Sequence, residues 1–470
     1  MIVRSLAAAG LALCPLLSFA AELDGRQLSA PWGLPFAGML LSIALGPLLF
    51  PLVWHRHYGK IAAAWAAAFL IPCALVFGPG MAGANVAHAM LAEFVPFVIL
   101  LLALFTVAGG ICVCGNLHGR PALNTGLLAL GTVLASFMGT TGASMLMIRP
   151  LIRANDNRRH TVHTVVFFIF MVSNAGGALT PLGDPPLFLG FLKGVDFFWT
   201  VRNVFGETLF LCLSLLAIYF LLDSWYYHRR EEDLPAAQDP TPDSAFGLEG
   251  AANIVLLALV IALVLMSGIW KPGPAFTLAG VAIGWQDLLR DIGLLIIVGL
   301  SLKLTPKSAH EGNAFSWGPM VEVAKLFAGI FITIVPVIAM LKAGPEGAFA
   351  GVMHAVTRPD GRPDDLMYFW ATGLLSAFLD NAPTYLVFFN AAGGDPQQMM
   401  TTLATTLAAI SCGAVFMGAI SYIGNAPNLM VRAIAQERGV RMPGFFGYMA
   451  WSVGILVPLF ILMSWIFFRN

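Results

Sequence analysis

The sequence predicts an all-α, polytopic membrane protein with inverted repeats, two re-entrant hairpins and two broken transmembrane helices. Three observations lead there. The 470 residues are 58% hydrophobic and only 11% charged, whereas a soluble protein is nearer a quarter charged. Apolar runs of about 20 residues, the length that crosses a bilayer, recur along the chain. Two further apolar stretches are interrupted by matching clusters of glycine, proline and polar residues. Lys+Arg and Asp+Glu balance at 25 each, so the charge gives no reason to expect nucleic acid or an acidic partner. Six cysteines lie in or beside apolar runs without a CxxC pair and read as packing residues rather than a disulfide framework or zinc site.

Residues 1–21 have an early Arg4, a short apolar core and small residues at Ser18, Ala20 and Ala21. That is the layout of a cleaved secretory signal, which would leave the mature N-terminus periplasmic. Uninterrupted spans are expected at 33–53, 60–78, 93–114, 205–223, 250–268, 318–342 and 443–467. A charged, proline-containing linker at 228–248 divides the chain into halves, 22–227 and 249–470.

Lysine and arginine gather on the cytoplasmic side of a membrane protein. Arg56 and Lys60 therefore put the first turn inside, and the glycine-rich stretch 78–90, which has neither, goes outside as a loop. Arg120 and the group Arg149, Arg153, Arg158 and Arg159 hold both ends of 121–150 inside. Thirty residues are too few for two full crossings. A re-entrant hairpin with its tip near Gly139-Thr140-Thr141-Gly142 follows, and such backbone is tolerated only where protein or water surrounds it. A second hairpin over 366–391 enters from the other side. The stretches 162–192 and 401–435 are helices broken at mid-membrane.

The halves are related. GALTPLGDPP (177–186) aligns with GAISYIGNAP (418–427) at an offset of 241 residues, and LASFM (134–138) aligns with LSAFL (375–379) at the same offset. The repeats cover about 93–223 and 318–467, and their order predicts opposite senses across the membrane. Inverted repeats with broken helices meeting at the midplane are the signature of secondary transporters.

SNAGG…PLGDPP, the LDNAPT hairpin and SYIGNAPN resemble the ion transporter superfamily. Within it they are most similar to the branch of citrate transporters and sodium:proton antiporters, near type D antiporters and arsenite-efflux permeases. The resemblance covers essentially the whole mature chain. It implies ion transport in a bacterial inner membrane, no enzymatic activity, no resident cofactor, and the bilayer as the main partner; it is compatible with a homodimer.

A carboxylate at membrane depth marks function by default. Asp184 lies in the first break and Asp380 at the second hairpin tip, so these two are the candidate ligands of a transported sodium ion. A proton and a sodium ion competing for one carboxylate are sufficient for antiport. The alternative for each aspartate is to cap a half-helix N-terminus. Ser173, Asn174, Thr140, Thr141, Thr180, Asn381, Thr384, Ser421, Asn425 and Asn428 can complete a cation shell or hydrogen-bond a substrate carboxylate. Gly176, Gly177, Pro181, Gly183, Pro185, Pro186, Pro383, Gly424 and Pro427 break the helices. The resemblance carries the Ser173-Asn174 and Asn381…Thr384 pairs over as superfamily site positions. Ala175, where threonine often stands, and Asp380 in place of serine favour a cation over a carboxylate. Glu93 and Glu322 each open a span before a hairpin, with Lys325 one turn on as a partner for Glu322.

Two rivals remain. A citrate or other carboxylate carrier could use the same architecture with helix termini and co-bound cations. An intramembrane aspartyl protease would require GxGD, but Pro181-Leu182-Gly183-Asp184 stands here.

Overall fold

In a computed structural model the chain is described over residues 23–115, 117–230 and 247–469. The expected signal segment and most of the linker lie outside these residues. Among the described residues, eight helical stretches are long and apolar enough to cross a membrane. One of them, Pro121–Ala154, is instead the first hairpin. Gly139 at its centre has φ 80° and ψ 151°, a region open essentially only to glycine. Asn124 and Asn155 exchange side-chain amide bonds at 2.8 and 2.9 Å. In a straight helix those residues would stand roughly 46 Å apart.

The second hairpin runs from Asp365–Phe378 through extended Leu379 and Asp380 into Asn381–Ala391. Its arms meet at Tyr368 and Phe388, whose ring centroids are 6.2 Å apart. The first broken helix comprises Val162–Met171 and Pro185–Leu192, and the second Ala404–Met417 and Ala426–Glu437. Asn381–Ala391 packs on Pro185–Leu192, while the first hairpin packs on Ala426–Glu437. Each hairpin thus packs on the other repeat's broken helix as well as on its own, the reciprocity that a two-fold relation produces.

Phe205–Arg230 and Phe445–Phe467 pack against this assembly. The remaining spans form a second group in which Leu34–Leu49 packs on Pro51–Phe77 and Ala252–Ile269 on Trp285–Leu304. The groups meet where Val95–Gly109 lies on the first hairpin, where Val335–Lys342 lies on the second, and where Glu93 pairs with Lys193 of the first broken helix.

Several expectations change. The stretch 78–90 is helical from Pro79 to His88. Proline at the first helical position is preorganised for a helix, and the alanines that follow favour it. This helix runs through a π-helical turn, Ala89–Phe94, into Val95–Gly109. The first turn falls at Phe50, ahead of the His55-Arg56-His57 cluster, which lies within Pro51–Phe77. Lys325 stands over the Tyr58 ring at 5.3 Å, and Glu322 accepts from Trp54 Nε1 at 3.3 Å, so the two are partnered elsewhere. Two small antiparallel ribbons pair Cys112–Cys114 with Gly247–Glu249 and Pro274–Leu278 with Val281–Gly284. The described cysteines are free, and all but half-buried Cys114 are buried.

A charged cluster ties the base of the first hairpin to its neighbours. Arg158 grips Asp223 with two bonds of 2.7 and 3.0 Å, and His163 Nε2 lies 2.7 Å from the same carboxylate. Asn124 donates to Asp223 at 3.1 Å. Three segments, the hairpin, the first broken helix and Phe205–Arg230, are joined through one buried carboxylate.

Candidate functional site

The two breaks are built by the same bonds. Thr180 Oγ1 donates to the Ser136 carbonyl, and Ser421 Oγ to the Ala377 carbonyl, each pair displaced by the repeat offset. The same hydroxyls accept from Leu182 N and Ile423 N, both at 3.2 Å. A Cβ on Gly183 would collide with the Gly177 carbonyl, and one on Gly424 with the Gly418 carbonyl. Only glycine lets the chain cross itself so closely. Thr180 and Ser421 therefore fasten each break to its hairpin arm.

Pro185 and Pro186 start the half-helix after Asp184, and Pro427 is the second residue of its counterpart. Proline supplies a helical φ without a donor, which sets a clean restart after each break. Asp184 (φ −144°, ψ 144°) and Asn425 (φ −150°, ψ 137°) hold equivalent N-cap positions, yet neither side chain caps its own helix. Both turn toward the other repeat.

Asp184 is 1% exposed. Thr140 Oγ1 donates to its Oδ1 at 2.8 Å, Asn425 Nδ2 to Oδ1 at 3.2 Å, and Asn381 Nδ2 to Oδ2. Thr140 and Asn381 are themselves repeat equivalents. One carboxylate thus collects both hairpin tips and the opposite break, and every one of these partners is neutral.

A relay of amides extends from it. Asn425 Nδ2 also donates to the Ser173 carbonyl at 3.0 Å and to Asn174 Oδ1 at 3.3 Å. Asn174 donates to Asn428 Oδ1 at 2.8 Å and to the Ile169 carbonyl at 2.7 Å. Asn428 Nδ2 in turn holds the Gly418 and Ser421 carbonyls, both at 2.9 Å. Ser173 meets Ser144 at 2.9 Å between hydroxyl oxygens. Ser144 escaped the sequence reading, although it lies one turn beyond Thr140, the spacing that shares a helix face.

Asp380 stands differently. It is half-buried and accepts from Ala382 N at 3.1 Å, capping Asn381–Ala391. The capping that the sequence allows for both aspartates is made by Asp380 alone. Thr384 Oγ1 bonds back to the Asp380 carbonyl at 2.9 Å, the ordinary arrangement within a helix. Pro383 occupies the first turn of the same arm. Thr141 lines a cavity of about 110 Å³ that also reaches Asp184, Pro181, Met320 and Met430. That cavity lies between the hairpin tip and spans of the other group. Gly176 and Gly177 open the short 3₁₀ turn Ala175–Ala178 inside the first break.

The family model described as "Putative citrate transport" matches residues 25–468. No curated protein matches the chain. The match runs through both hairpins, both broken helices and all the uninterrupted spans, so the chain belongs to that family and is a secondary transporter, a multi-pass protein of the lipid bilayer.

Proposed function

We propose that the protein exchanges sodium or lithium for protons by alternating access around Asp184, in a bacterial inner membrane with its mature N-terminus on the periplasmic side. One observation carries this reading: Asp184 is buried between the repeats with only neutral hydrogen-bond partners. A buried ion without a counter-charge is costly by several kcal/mol. Loading Asp184 with either a proton or a cation removes that cost, and one carboxylate cannot hold both.

Sodium would take Asp184 oxygens, with Asp380, one residue from Asn381, as a second carboxylate, and backbone carbonyls freed at the breaks. Asn174, Asn381, Asn425 and Asn428 can reorient to present amide oxygens. The hairpins and broken helices would move as a unit, and the contacts between the groups would slide, among them Val95–Gly109 on the first hairpin and Val335–Lys342 on the second.

The test uses everted vesicles carrying a pH-sensitive dye. Adding sodium or lithium should dequench the dye, and Asp184→Asn should abolish the response. Dequenching that survives Asp184→Asn sinks the proposal. The family description favours a second reading, a citrate-like carboxylate carried with cations, in which the same amides donate to the substrate. Citrate uptake without cation-driven proton movement would select it.

A further inference from the structure

A second cavity, of about 490 Å³, lies against the first break, and Asp184 is not among its walls. It is enclosed by the first arm of the hairpin, the start of Phe205–Arg230, and Ile261 and Leu265 of Ala252–Ile269. It therefore sits in the seam where the hairpin faces a span of the other group. Val133, Phe137, Phe205 and Leu209 line it and are each between 43% and 57% exposed, on segments long and apolar enough to span. In a bilayer that exposure is to hydrocarbon, so the cavity is continuous with the acyl-chain layer.

Its polar groups are already used. Four hydroxyls reach the lining, and each donates to a backbone carbonyl: Thr132 to Leu128 at 2.7 Å, Ser136 to Gly176 at 2.6 Å, Thr208 to Val204 at 2.8 Å, and Thr180 to Ser136. Among the described residues no charged side chain or side-chain amide lines the space. A buried water needs about two to four polar partners, and no free hydroxyl donor is offered here. Left empty, the walls would forfeit their dispersion contacts. The volume falls within the range of ligand cavities. From Phe205 to Cys212, both in the lining, the helix runs roughly 10 Å. That is less than the roughly 15 Å depth of one hydrocarbon leaflet, so a stretch of one acyl chain can lie along it.

We propose that this cavity binds an acyl chain of a bilayer phospholipid, held by dispersion between the hairpin arm and Ala252–Ile269. The site is separate from Asp184 and does not rest on the cation-exchange reading. It places a lipid chain in the seam between the two groups, against Thr180, whose bond to the Ser136 carbonyl fastens the break.

The experiment reconstitutes the full chain in vesicles of phosphatidylethanolamine and phosphatidylglycerol, with a phospholipid carrying a diazirine on its acyl chain, and maps photo-adducts by mass spectrometry. Adducts at Ile261 and Leu265 should be denser than at Leu52 and Leu75, which stand open on Pro51–Phe77. Equal density would show general lipid contact alone and overturn the site. Leu209→Trp, which fills the cavity from a position open to lipid, should cut adducts at Ile261 and Leu265 severalfold and leave Leu52 and Leu75 unchanged. An unaltered pattern refutes the proposal. Should Leu209→Trp fail to fold, Val133→Trp from the hairpin arm decides by the same measure. Water is the other occupant: Leu265→Cys, with Cys114 replaced by serine, should stay unreactive toward a small hydrophilic maleimide, and rapid labelling would overturn the acyl chain. Cross-linking needs no transport, so this pattern in a protein lacking cation-driven exchange would defeat the antiport reading and leave the site standing.

Discussion

Asp184 and Asn425 occupy equivalent positions in the two repeats, and the amide of one donates to the carboxylate of the other at 3.2 Å. Two copies of one break have become a donor and an acceptor. A symmetric pair of aspartates there would place like charges in contact, and a symmetric pair of asparagines would leave no charge to carry a cation.

Asn425→Ala removes one of three donors to Asp184 and frees the Ser173 carbonyl. A hydrogen bond to a charged group contributes about 1.5–3 kcal/mol. Apparent sodium affinity in the vesicle assay should change by roughly one to two orders of magnitude. An unaltered concentration dependence would show that Asn425 plays no part in loading.

Gly139→Ala forces a side chain into a glycine-only region at the first hairpin tip and should cost about 1–3 kcal/mol. Gly126→Ala, in the same hairpin arm with open space around it, should instead stabilise by about 0.5–1 kcal/mol. Unfolding in mixed micelles distinguishes the two. Gly424→Ala, whose Cβ would strike the Gly418 carbonyl and lie 2.7 Å from the Ser376 carbonyl, should abolish the monodisperse peak on size exclusion.

Arg158→Ala leaves Asp223 buried without its bidentate partner and should destabilise by about 3–5 kcal/mol. Pairing Arg158→Met with Asp223→Leu should recover most of that loss, because replacing both charges removes the uncompensated ion. If the double variant unfolds as early as the single, the cluster matters through hydrogen bonding to Asn124 and His163 instead.

Thr141→Cys lines the small cavity beside Asp184 and should react with a small maleimide in a background where Cys114 is serine. Sodium or lithium should slow that labelling. Thr180→Cys, buried and at a position bonded to the Ser136 carbonyl, should stay unreactive. Equal labelling of the two positions would place the opening elsewhere.

Much of this architecture was legible before any coordinates. Apolar run lengths report spans and glycine with proline reports breaks, because each acts through bilayer thickness or local backbone sterics. The repeat offset located Asp184 against Asn425 and Thr140 against Asn381. Composition misled where a local rule had an exception, as in the glycine-rich 78–90, which alanine and an initial proline make helical.

What the sequence determined by itself was the fold class, the position of both breaks and the short list of polar residues near them. Only the tertiary structure decided how those residues divide their work. Asp184 turns across the repeat while Asp380 caps its own helix. Thr180, Ser421 and Thr384 bond to backbone carbonyls, while Asn174, Asn425 and Asn428 link into a relay. Glu93 finds Lys193 a hundred residues away. A hydroxyl, amide or carboxylate takes whichever partner the fold brings within about 3 Å, and that distance is set by packing between distant segments.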